Sequence, residues 1–188
     1  NSRLLGAMFL HAGEKFHATA SLFAENDAMK MSTDKLGNEA WGAMTRLVWR
    51  PFTERGKIFH IGISGAYESP RYSKNPANSH SSYTLRAPFP TRIANVSAQE
   101  ATITNATALW KFSPEMNVAC GNLGLEVQYF YVGIKRDYAL PNYSAWGAYG
   151  NVRYLLNGQG YTYTRTDAGI ATPDPGSMEL VAAYNYST

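Results

Sequence analysis

Apolar and polar positions alternate with a period of two along most of the chain, which predicts strands rather than helices. In the clearest run, residues 40–50 (AWGAMTRLVWR), Trp41, Ala43, Thr45, Leu47 and Trp49 fall on one face, and Gly42, Met44, Arg46, Val48 and Arg50 on the other. An apolar face bounded by tryptophans therefore backs onto a charged one. At about 3.4 Å per residue the two indoles stand roughly 27 Å apart along the strand, and a tilt of about 40° brings this to some 20 Å of height. That is the separation of two aromatic girdles around a hydrocarbon layer.

The same spacing returns twice. Phe59, Ile61, Ile63, Gly65 and Tyr67 back onto His60, Gly62, Ser64, Ala66 and Glu68, and Trp146, Ala148, Gly150, Val152 and Tyr154 back onto Tyr149, Asn151 and Arg153. Weaker copies lie at 16–22, 123–131 and 178–186, while 82–117 gives the least regular pattern. The reading is an all-β chain of roughly eight to ten antiparallel strands, organised as one barrel domain or barrel segment over residues 1–188.

Connections add a second argument, because transmembrane barrels alternate short turns with long external loops. Residues 12–14, 51–57 and 120–122 are short connections and 136–143 a medium one, while 26–39, 69–81 and 157–176 are long and are expected outside, where ligands or phage could reach them. The stretch 88–107 breaks the alternation and is expected to fold inward.

Composition sharpens the environment. Only 16% of residues are charged while 45% are hydrophobic and thirteen are Tyr, against about 25% charged in a typical soluble domain. No window of about 20 apolar residues exists for a membrane helix, but barrel strands meet lipid only at alternate positions and need no such run. The net charge of +3 is small and scattered, which argues against nucleic acid as a partner. A lone Cys120 cannot build a disulfide framework, and His11, His17, His60 and His80 lack metal-ligand spacing. Ser64, in GISGA, lies inside a strand and not at a strand-to-helix elbow, and the carboxylates are scattered over separate strands. Neither catalysis nor a cofactor or metal is expected. The useful chemistry is cationic: Arg46, Arg50 and Arg153 lie on the polar faces of strands whose other face is lipid-like. Inward cations attract anions and can bind phosphate; equally, they can pair with Glu68, Glu126 or Glu179 and brace the wall.

The segments GNEAWGAMTRLVWRPF, GKIFHIGISGAYESPR, RAPFPTRIANV, GNLGLEVQYFYVGIKRD, SAWGAYGNVRYLLNGQGYTY and PGSMELVAAYNYS, in this order, resemble the phosphate-selective porins of the O and P type from Gram-negative outer membranes. The resemblance implies a barrel of about sixteen strands in the outer membrane, in contact with lipid and lipopolysaccharide. It implies homo-trimers, conduction of small anions past inward arginines and lysines, and a loop folded into the lumen. Carried onto this chain, it makes 86–95, with Arg86 and Arg92, the basic segment near the constriction. The strands visible here are about half of such a barrel, and Tyr186-Ser187-Thr188 lacks a terminal aromatic, so the chain is expected to be a portion of a longer protein. A reading from another class competes: a soluble secreted barrel or sandwich that binds a small apolar or sugar ligand on Trp49, Trp110 or Trp146. The two differ over Trp41, Trp49, Phe59, Tyr67, Trp146 and Tyr154, which ring the outside in the first and share a core in the second.

Overall fold

A computed structural model describes residues 5–24, 40–70, 82–88 and 97–188, and the structural statements below concern these. Twelve strands follow one another: β1 (Leu5–Ala12), β2 (Phe16–Ala24), β3 (Trp41–Glu54), β4 (Lys57–Ser69), β5 (Tyr83–Pro88), β6 (Ser97–Ile103), β7 (Ala106–Cys120), β8 (Leu123–Arg136), β9 (Tyr143–Leu155), β10 (Tyr163–Thr164), β11 (Gly169–Ile170) and β12 (Glu179–Ser187). Eight of them form one antiparallel sheet in the order β1-β2-β3-β4-β7-β8-β9-β12, while β5-β6 and β10-β11 are separate hairpins. The sheet is not closed: β1 pairs with β2 and β12 with β9. At 13 to 15 residues, β3, β4, β7, β8 and β9 exceed the 9–11 residues or so that a tilted strand needs to cross a bilayer.

Pro51, expected in a connection, lies inside β3, which runs on to Glu54. Proline lacks the N–H a ladder needs and is tolerated at irregularities, and the β3–β4 register shifts between Trp49 and Phe52. The turn itself is Arg55-Gly56, with Gly56 at a φ of +67° that glycine adopts without strain.

The register separates two faces. Trp41, Leu47 and Trp49 stand with Ile61, Ile63 and Tyr67 on an exposed apolar outer face. Arg46, Val48 and Arg50 share the other, inner face with His17 of β2 and with His60 and Glu115 of β4 and β7.

Two connections fold back over that inner face, and the buried clusters lie beneath them. The β5-β6 hairpin, of which β6 falls within the stretch 88–107 expected to fold inward and β5 precedes it, packs Tyr83, Leu85, Ala101 and Ile103 against Leu109, Val132, Ile134 and Tyr143. From the opposite end, residues 156–178 lay Tyr161, Tyr163 and Ile170 against Ile58, Ala119 and Leu155. This corrects the expectation of an external loop at 157–176. Each strand reverses direction, and Leu155, where β9 ends, lies opposite Glu179 at the edge that carries the tight turns at 13–15, 55–56 and 121–122. The segment therefore leaves from the tight-turn end, and length alone had suggested the wrong side.

Candidate functional site

The middle of the inner face carries a connected polar cluster. Arg46 donates to Glu115 Oε1 from Nε at 2.8 Å and from Nη2 at 2.6 Å, and the same oxygen lies 3.1 Å from His60 Nε2. His60 Nδ1 is 2.9 Å from Tyr163 Oη and 3.4 Å from Asn117 Nδ2. These contacts fit the tautomer that donates from Nε2 and accepts at Nδ1. Gly62 opposite makes the room, since a Cβ there would meet the Glu115 carboxylate at 2.6 Å.

A second cluster joins three strands with the infolded segment. Arg153 donates from Nε to Glu179 Oε1 at 2.7 Å and from Nη1 to Glu126 Oε1 at 3.4 Å. Asn151 donates to the other Glu126 oxygen at 2.9 Å, and Tyr161 Oη to Glu179 at 2.7 Å. Tyr161 also exchanges backbone bonds with two tight turns: Gly56 donates to its carbonyl at 2.8 Å and its N–H donates to Gly121 at 3.3 Å. Burial, together with the Glu179 carboxylate, pushes the Tyr161 phenol well above its ordinary value. Burial likewise raises Tyr163, an effect partly offset by the neighbouring Arg50 guanidinium.

Arg50 has a different environment. It is fully buried at 0% exposure, and its Nη1 and Nη2 donate at 2.6 Å to the backbone carbonyls of Arg165 and Gly13. Its guanidinium lies 5.3 Å from the centre of the Tyr163 ring, and its Nε has no partner. Among the described residues no carboxylate pairs with it.

Arg86 and Lys111 are paired but exposed. In the β5-β6 hairpin Tyr83, Leu85, Ala101 and Ile103 turn to the wall, so by alternation Thr84, Arg86, Glu100 and Thr102 turn away from it. Arg86 Nε lies 3.1 Å from Glu100 with its side chain 63% exposed, and Lys111 of β7 lies 3.0 Å from Glu68 at 52%. Arg92 lies outside the described residues. On the body of the inner face Arg46, Arg50, Lys111 and Arg153 are thus matched in number by Glu68, Glu115, Glu126 and Glu179.

Across the outer face the aromatics stand at two levels. Trp41 and Tyr67 meet at 5.6 Å toward the long-loop end, and Trp49 and Phe59 at 6.2 Å toward the tight-turn end. Trp146 packs against Tyr186 at 5.1 Å and Tyr129 at 5.9 Å, while Tyr154 lies eight residues further along β9. Trp41, Trp49, Tyr67, Trp146 and Tyr154 remain 50%, 45%, 40%, 42% and 49% exposed, which does not match the soluble reading that gathers them into a core.

Long antiparallel strands, an exposed aromatic outer face and a polar inner face covered by infolded segments define a transmembrane β-barrel wall of the outer-membrane kind. Comparison with protein families gives the particular case. The family model for phosphate-selective porin O and P matches residues 2–188, and the chain belongs to that family, whose members are outer-membrane porins. That is a family of channels rather than enzymes. Comparison with the curated proteins finds no match.

Sequence reasoning named the arginines but missed Glu115, Tyr161, Tyr163 and Lys111, which complete the inner clusters. For Glu115 and Lys111 the signal was available: once β7 is recognised, both alternate onto the polar face. No local pattern marks the two tyrosines.

Proposed function

We propose that this porin passes small anions, phosphate among them, in preference to cations, with Arg86 and Lys111 as the groups that meet the solute. What carries the reading is the hairpin: its apolar residues turn to the wall, and Arg86, shortly before Arg92 in sequence, turns away from it. A half-exposed guanidinium or ammonium can exchange its partner for a passing anion at little cost. Arg46 and Arg153, each bonded to a carboxylate, brace the wall and add to the local potential.

A second reading, a general diffusion porin with weak selectivity, is favoured by the equality of cations and carboxylates among the described residues on the body of the inner face. Reversal potentials in planar bilayers across a potassium chloride gradient separate the two. Anion preference that falls in Arg86→Gln and Lys111→Gln supports the first; a potential near zero, unmoved by either substitution, supports the second.

The infolded segments also bear on size. An eight-stranded barrel has an interior just wide enough for its own side chains, with no room for a hairpin and a further segment inside it. The edges at β1 and β12 are therefore taken to meet further strands, in a barrel of about sixteen. Assembly as a homo-trimer, and contact between lipopolysaccharide phosphates and Lys135 at the outer long-loop rim, complete the proposal.

A further inference from the structure

The tip of the infolded segment, residues 163–170, is fastened to the wall in an unusual way. Its root is anchored by Tyr161, whose buried ring and backbone bonds tie it to the tight turns. Beyond the root, two wall arginines grip the tip by its backbone: Arg46 donates to the carbonyls of Asp167 and Ala168, both at 2.9 Å, and Arg50 to that of Arg165. Tyr163 adds its bond to His60, and the side chains of Tyr163 and Ile170 pack in part against the wall.

A neutral carbonyl is a weaker partner for a guanidinium than an oxyanion is. A buried cation without a counter-charge is costly, and Arg50 is fully buried with an unpartnered Nε and, among the described residues, with no carboxylate paired to it. A planar guanidinium binds an oxyanion through two parallel N–H···O bonds that a carbonyl cannot match. An oxyanion that reached Arg50 would supply the missing charge and take the donors that now hold Arg165.

We propose that the tip 163–170 is an anion-released strap: a small oxyanion competes with the carbonyls of Arg165, Asp167 and Ala168 for Arg50 and Arg46, and the tip leaves the wall when the oxyanion wins. The channel would then widen at its tight-turn end as the anion concentration rises. From the proposed function this takes only that anions reach the inner face.

Trypsin reads the strap directly, because cleavage after Arg165 requires the carbonyl that Arg50 holds. The porin would be extracted from its outer membrane in detergent and the rate of cleavage after Arg165 followed in inorganic phosphate and in sodium chloride at equal ionic strength. Acceleration of several-fold by phosphate, beyond that in chloride, is expected. Arg50→Gln is expected to cleave fast at the outset and to lose the phosphate response, while Arg50→Lys, a charge without the fork, keeps only a fraction of it. Equal rates in the two salts for the unsubstituted protein overturn the strap, as does a full phosphate response in Arg50→Gln. Bilayer selectivity is measured separately, so a porin that prefers anions but keeps its strap docked in phosphate sinks this inference alone.

Discussion

Pro114 sits in the middle of β7 on the outer face, where it removes a donor from the ladder in the least forgiving place. The β7–β8 register gives Phe112 opposite Tyr131 and Glu115 opposite Gln128, so Pro114 faces Tyr129, whose carbonyl has no backbone N–H to accept from. The Ser113 hydroxyl supplies one: it donates to the Tyr129 carbonyl at 2.7 Å and accepts from Gln128 Nε2 at 2.9 Å. An unsatisfied polar group inside a bilayer costs several kcal/mol at the limit, and about 1–3 kcal/mol in protein substitution series. Ser113→Ala is therefore expected to destabilise the folded porin by about 1–3 kcal/mol. Pro114→Ala, which returns the N–H, is expected to be neutral or mildly stabilising. The two should couple: once Pro114→Ala is in place, Ser113→Ala forfeits only the Gln128 bond, about 1 kcal/mol or less. Urea unfolding in detergent or lipid vesicles, followed by tryptophan fluorescence, gives the four free energies of the cycle. Equal costs of Ser113→Ala with and without Pro114→Ala would refute the account of the hydroxyl as a replacement donor.

Other substitutions test the packing and the clusters. Gly133 on β8 leaves its outer surface free for the Trp110 ring, which a Cβ would strike; Gly133→Ala should cost about 1–3 kcal/mol and shift Trp110 emission. Arg153→Gln strands Glu126 and Glu179 without their cation. Because these groups are only partly screened from water, a loss of about 1–3 kcal/mol is expected, and thermal unfolding in micelles should show it while ion selectivity changes little. Tyr161→Phe removes a bond to a carboxylate, a loss of about 1.5–3 kcal/mol, and should open the root of the infolded segment to proteases. The pH dependence has a definite sign. The folded-state value of Tyr161 lies above that of a free phenol, so its contribution is complete below about pH 10 and declines as pH rises beyond that. Tyr161→Phe should therefore flatten the loss of root protection above about pH 10.

The strands of the large sheet were legible because a barrel wall gives each residue one of two environments, lipid-like or polar, in strict alternation. Trp41 to Arg50, Phe59 to Glu68 and Trp146 to Tyr154 record those environments directly. The hairpin within 82–117 was blurred for the same reason: neither of its faces meets lipid, and one rests on the wall through Tyr83, Leu85, Ala101 and Ile103. The side from which 157–176 leaves the sheet was also legible in principle. It follows from strand direction, whereas length alone pointed to the external end.

The site was less legible because its partners are set by register. Arg46 and Glu115 are 69 residues apart in sequence, and only the pairing of β3 with β4 and of β4 with β7 brings them together. Arg50 lies further from reach still, since backbone carbonyls hold it and any residue supplies those equally. Two positions in one alternating run, Arg46 and Arg50, thus look alike in sequence and differ in chemistry: among the described residues one has a carboxylate and the other has none. That difference separates bracing the wall from responding to an anion. The pairing of a basic inner residue is therefore a better guide to its role than its placement on the polar face, and here it singles out Arg50, beneath the strap, while Arg86 on the hairpin, paired with Glu100, stands apart by its exposure.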